Sequence, residues 1–88
     1  MKEKELEKLF KAFANKRRIA IIAILKNNKE ATVGDIAEKI RLSFKATSKH
    51  LGILSSADIV EKEQRSSQVF YKISTSLPES IRRVISLI

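Results

Sequence analysis

The chain has 88 residues and no cysteine, and its 18 Lys and Arg against 10 Asp and Glu leave a formal net charge of +8. That length suits a single domain with a thin core, since a domain of this size buries only about 60–65% of its unfolded surface. The missing thiols exclude disulfides, thiolate catalysis and thiolate metal sites, and the charge favours a polyanion as partner: DNA, RNA or an anionic membrane. The longest apolar run, Ile19 to Leu25, is far too short to span a bilayer. The start of the chain alternates lysine and glutamate and lacks the apolar core of a signal peptide. The expected location is therefore cytoplasmic.

In chain order, Leu6, Leu9, Phe10 and Phe13 fall at helical spacing over Lys2–Phe13, with Glu7 and Lys11 as a favourable i,i+4 pair. Asn15 is a good N-cap for a second helix through Ile19–Leu25 that stops at Asn27–Asn28. Apolar on nearly all sides, this helix should be the buried centre of the fold. Thr32 and Asp35 have the spacing to cap each other's backbone amides. They open a short third helix with Val33, Ile36, Ala37 and Ile40 inward, ending near Arg41. Ser43 caps a fourth helix through Leu54, with Thr47, Leu51 and Leu54 inward and Ala46 and His50 at the flanks. Only Leu42 and Ser43 separate these two short helices, which is a helix-turn-helix pattern.

Ile59–Arg65 and Val69–Ser74 read as two strands, the second alternating Val69, Tyr71 and Ile73 with Phe70 and Lys72. Their short polar join at Arg65–Gln68 predicts a β-hairpin. Pro78 stands near the first turn of a last helix, where proline is tolerated, and Leu77, Ile81, Val84, Ile85 and Ile88 form its stripe. That is much apolar surface for a short terminal helix, and a second subunit is the expected place to bury it. The fold class is thus mainly α with a small β-hairpin, in the order α-α-α-α-β-β-α. It forms one domain over residues 1–88, with 1–13 and 77–88 as dimerisation helices.

The fourth helix carries the clearest functional signal. No acidic residue lies between Lys39 and Ala57, whereas Arg41, Lys45 and Lys49 do. Lys45 and Lys49 are i,i+4 and share one face, with Ser48 beside them. One basic, hydrogen-bonding face opposite an apolar one is what a helix in a major groove needs. The amides after Ser43 also suit a phosphate.

The stretches LFKAFANKRRIAIIAIL (Leu9–Leu25), ATVGDIAEKIRLSFKATSKHLGILSSADIV (Ala31–Val60) and VFYKIS (Val69–Ser74), in this order and spacing, resemble the ArsR-type (arsenic-repressor-like) winged helix-turn-helix regulators. Thr47–Leu51 looks like the family's recognition-helix core, Ala57–Val60 like its entry into the wing, and Val69–Tyr71 like its second wing strand. The resemblance implies a dimeric repressor on double-stranded DNA, with Phe44, Lys45, Ser48 and Lys49 at bases and nearby phosphates and Arg41 close by. Phe44 replaces a residue that is more usually polar; it either touches a thymine methyl or packs inward. Arg65, Gln68 and Lys72 are candidates for flanking phosphates or the minor groove. The family often has Gly-Arg near the wing tip, where this chain has Ser66-Ser67, and Glu61 and Glu63 weaken the wing's positive field. The alternative for the hairpin is that it only covers the core.

The resemblance makes Arg18 structural and has His50 either support its helix or contact the backbone. Lys16 and Arg17 either touch phosphate or form a solvated helix end. A lone imidazole without cysteine is a poor start for a zinc site. Thr32–Asp35 stands where some relatives carry sensor cysteines, so no metal and no cofactor is expected. No phosphate loop, carboxylate pair or activated nucleophile supports catalysis. No membrane partner is expected either, given the glutamates on the first helix, and nothing in the residues names a small-molecule effector. Two rival functions use the same features: a non-specific architectural nucleic-acid binder, and a winged helix that serves as a protein-interaction module.

Overall fold

A computed structural model describes residues 1–88. The elements run α1 (Glu3–Phe13), α2 (Lys16–Asn27), β1 (Ala31–Thr32), α3 (Val33–Ile40), α4 (Phe44–Ser56), β2 (Val60–Arg65), β3 (Gln68–Ile73) and α5 (Glu79–Ser86). No helix is long and apolar enough to cross a membrane.

Side-chain caps set three of the helix starts. Asn15 accepts from the amides of Arg17 at 2.9 Å and Arg18 at 3.1 Å, which starts α2. The Thr32 hydroxyl accepts from the Asp35 amide at 3.2 Å and starts α3. The Ser43 hydroxyl accepts from the Ala46 amide at 3.1 Å and starts α4. The reciprocal half of the expected Thr32–Asp35 box does not form. Thr32 is also the last residue of β1, paired with Phe70 in the sheet, and Asp35 stays exposed.

The sheet has three strands rather than the two of a bare hairpin, in the order β1-β3-β2 and antiparallel throughout. The added strand is Ala31–Thr32, opposite Tyr71 and Phe70. It anchors the wing to the start of α3, so the hairpin cannot swing freely from the helices.

The core gathers Ile21, Ile22 and Leu25 of α2, Ile36 of α3, Leu51 and Leu54 of α4, and Ile59, with Leu9 and Ala12 closing one side. Helix α2 is central, as expected, although Ile19 on its outer side is exposed. Two expected stripes split in the structure. On α1, Leu9 and Ala12 point inward, while Leu6 and Phe10 face outward at 37% and 56% exposure. On α5, Leu77, Ile81 and Ile85 are buried against the chain's own core, which leaves Val84 and Leu87 open at 36% and 85%. Most of the apolar stripe of the last helix is therefore covered without a second subunit, and the open apolar surface is a narrower band on α1 and α5.

The α3–α4 turn has a non-glycine residue in the left-handed region. Arg41 sits at φ 57°, ψ 49°, and its amide reaches the carbonyls of Ala37 and Glu38. The Leu42 amide donates to the Ala37 carbonyl at 3.0 Å. This closure satisfies the end of α3 but puts a Cβ where glycine is the usual residue. Replacement by Gly removes that strain. Arg41→Gly should raise the unfolding free energy by about 0.5–1 kcal/mol, read as a higher urea midpoint at unchanged slope. Arg41→Ala, which keeps the Cβ, should show no such gain.

Candidate nucleic-acid interface

Helix α4 is oriented by its buried side. Thr47, Leu51 and Leu54 have no exposure, and the Thr47 hydroxyl donates to the Ser43 carbonyl at 2.8 Å, so even this buried polar atom is satisfied. At about 100° per residue, the face directly opposite holds Lys45, Lys49 and Gly52. Phe44, Lys45, Ser48 and Lys49 are all exposed. Phe44, at 63% exposure, does not pack inward. It lies with Ser48 at a cleft between the start of α4 and the wing, which Gln68 and Lys62 also line.

The wing has two unlike faces. Directly opposed residues share a face, so Glu61, Glu63, Arg65, Gln68, Phe70 and Lys72 stand on one side and Lys62, Gln64, Val69 and Tyr71 on the other. The first side is internally neutralised. Arg65 is ion-paired with Glu30 and lies 3.9 Å from Glu63, and its guanidinium stacks 4.0 Å from the centre of the Phe70 ring. The hydrogen bond from Arg65 holds the Glu30 carboxyl below its ordinary value. Lys72 pairs with Glu61 at 3.4 Å. Arg65 and Lys72, expected as free cations, are thus committed within the chain. Gln68, at the tip, remains exposed toward the cleft.

Lys62 is the residue that reading the sequence missed. It makes no ion pair and stands on the α4 side of the wing, opposite Tyr71. The signal was available in the alternation Glu61-Lys62-Glu63, which puts Lys62 on the other face from both glutamates. Among the expected residues, Phe44, Ser48 and Gln68 come together at the cleft, Lys45 and Lys49 form the outer ridge of α4, and Arg41 is exposed in the turn before it. Arg65 stands apart with Glu30.

Behind α4, Arg18 ties three elements together. It donates to the carbonyls of Ala12 at 2.7 Å and Lys11 at 2.9 Å, which caps the end of α1, and its third contact is Nδ1 of His50 at 3.2 Å. Only a neutral imidazole can accept there. Partial burial, then the charges of Arg18, Arg17 and Lys49, lower the His50 pKa from its ordinary value of 6.5. No three His, Cys, Asp or Glu side chains gather where they could hold a metal.

The arrangement is a capped, acid-free helix presented beside a hairpin, and known proteins share it. Residues 15–62 match the family described as "Bacterial regulatory protein, arsR family". The chain belongs to the ArsR family. It is 31% identical over 84 residues to the transcriptional repressor SdpR of Bacillus subtilis (strain 168), covering 94% of this chain and 92% of SdpR. It is 37% identical over 68 residues to the transcriptional activator HlyU of Vibrio cholerae, covering 77% of this chain and 62% of that protein. A solved structure of HlyU from Vibrio cholerae superposes with a TM-score of 0.82 at 31% identity, over 99% of this chain and 92% of the other. The homodimeric winged helix-turn-helix DNA-binding domain of Mb0332 from Mycobacterium bovis superposes with a TM-score of 0.83 at 27% identity, over 96% and 74%. These ArsR-family relatives are regulators rather than enzymes, and the fold is the winged helix-turn-helix read from the sequence.

The Arg18–His50 contact gives this ArsR-family chain a pH dependence of defined sign. The folded state resists protonating His50, while the unfolded chain takes the proton near pH 6.5. The contact's stabilisation is therefore complete above that pH and is lost as the pH falls below it. Unfolding midpoints should drop on going from pH 7.5 to about 5.5, and His50→Gln should flatten that part of the profile.

Proposed function

We propose that the chain is a sequence-specific, double-stranded DNA-binding transcription regulator. In this reading it acts in the cytoplasm as a homodimer, with α4 of each protomer in a major groove. The observation that carries this is the outward face of α4: Lys45, Ser48 and Lys49 stand exposed, without an acidic neighbour on the helix, over a rigidly seated apolar side. Lysines there suit phosphates and guanine edges, and Ser48 suits either donor or acceptor groups. Phe44, exposed at the cleft, suits a thymine methyl. Gln68 and Lys62 suit the phosphates on the wing side, whereas Arg65 serves the wing's own structure. Arg41 keeps a strained backbone at the groove's edge, which a phosphate contact from its side chain would explain.

The outward apolar band on the first and last helices supports the dimer. Leu6, Phe10, Val84 and Leu87 are more open than an isolated small domain needs, and pairing these helices about a two-fold axis would cover them. Such a dimer sets two recognition helices about one DNA turn apart, roughly 10 base pairs. Repression, by occluding polymerase, is the simplest consequence. It is also the role named for SdpR, although HlyU is named an activator.

One experiment tests both halves. Lys49→Ala should weaken duplex binding and lower the slope of log affinity against log salt by about 0.9 per lost phosphate contact. It should leave the dimer intact in sedimentation. Phe10→Glu should give a folded monomer that binds a full site far more weakly. Unchanged affinity in the first variant, or an intact dimer in the second, would contradict the corresponding half.

A further inference from the structure

Helix α1 has three distinct sides. Leu9 and Ala12 enter the core, and Leu6 and Phe10 form the open apolar side. On the opposite flank Lys4, Lys8 and Lys11 recur at steps of four and three, one stripe at about 100° per residue. Facing this stripe is the exposed side of α4 with Lys49, Gly52 and Ile53, and the two walls bound a trough of about 630 Å³. The walls are fixed relative to each other, because Arg18 bonds the end of α1 and His50 of α4 at once. Glu7 is the one acidic residue on the trough, and it pairs with Lys11 at 3.8 Å. Lys4, Lys8 and Lys49 have no carboxylate partner in the chain.

Gly52 is an independent observation at the same place. It lies in the interior of α4, where glycine weakens a helix relative to alanine. A Cβ built on it meets nothing within 4 Å, so the chain's own packing does not require glycine there. A bare backbone on an exposed basic wall suits the close approach of another molecule.

We propose that this trough seats the sugar-phosphate backbone of the DNA strand flanking the groove entered by α4. Lys4, Lys8 and Lys49 contact its phosphates, and Gly52 is the point of closest approach. The proposal rests on the reading of α4 as the groove-entering helix. It follows from continuity, because Lys49 belongs both to the outer ridge of α4 and to the trough. A helix about 10–12 Å across fills a major groove about 12 Å wide and so meets a phosphate strand on each flank. Gln68 and Lys62 stand on the wing flank; the other flank is this trough. The lysine stripe lies on the side of α1 away from Leu6 and Phe10, so pairing through those residues leaves it open.

The test compares two charge-matched double variants on one duplex: Lys4→Gln/Lys8→Gln in the trough and Lys26→Gln/Lys29→Gln at the far end of α2, in its last turn and just past it. The trough variant should lower the slope of log affinity against log salt by about 1.8 per bound protomer, at about 0.9 per phosphate. The loss should be equal on specific and random duplexes, and the control should keep the parent slope. Gly52→Leu should melt no lower than the parent yet bind about tenfold more weakly. Equal slopes for the two double variants, or full affinity in Gly52→Leu, would overturn the proposal. So would inorganic phosphate or pyrophosphate binding that is lost in Lys4→Gln/Lys8→Gln while the DNA slope stays at the parent value, since the trough would then hold a free anion. A parent protein that binds no duplex at low salt would remove the α4 reading itself, an outcome distinct from a binding parent with an unchanged trough variant.

Discussion

Three side chains with no exposure, Thr47, Leu51 and Leu54, fix the rotation of α4 about its own axis. Everything proposed about the surface depends on that seam. With those residues inward, Lys45 and Lys49 must point out, Phe44 and Ser48 must turn toward the wing, and His50 must turn toward α2. A thin core makes such a seam costly to disturb, because a leucine cut to alanine in a packed interior typically loses about 2–5 kcal/mol. A domain of this size has little more than that to lose.

The charge pattern follows from the same geometry. The basic excess is not spread evenly: on the outer side of the wing, Arg65 and Lys72 are answered by Glu30, Glu63 and Glu61. Lys45 and Lys49 on α4, Lys62 on the α4 side of the wing and Lys4 and Lys8 on α1 have no carboxylate partner, and neither do Lys16, Arg17 and Lys29 elsewhere. In the proposed reading, the unpaired lysines of α4, the wing and α1, more than the net charge of +8, meet the DNA. Arg18 links α4 to α1, since it holds the last turn of α1 with the same guanidinium that touches His50.

What the sequence made legible was mostly local. Asn15, Thr32 and Ser43 cap amides two or three residues away, and all three do so in the structure. The seam of α4 was equally readable, because its period is that of a single helix. What escaped depends on partners far along the chain. β1 is only Ala31–Thr32, too short to show alternation, and it is a strand because Phe70 and Tyr71 arrive beside it. Arg65 read as a free cation because Glu30, its partner, is 35 residues away. The last helix read as offering its whole apolar stripe to a partner because nothing local reveals that Leu77, Ile81 and Ile85 find cover in their own chain. Lys62 escaped for no such reason: period-two alternation already set it on the face away from Glu61 and Glu63.

The most direct test of the central claim, a dimer that reads two half-sites with paired α4 helices, is binding-site selection from a random duplex library at near-physiological salt. A two-fold-symmetric motif with half-site centres roughly 10 base pairs apart is the expected result. Bound DNA that shares no motif would contradict it, and would mean that the basic face reads phosphates alone.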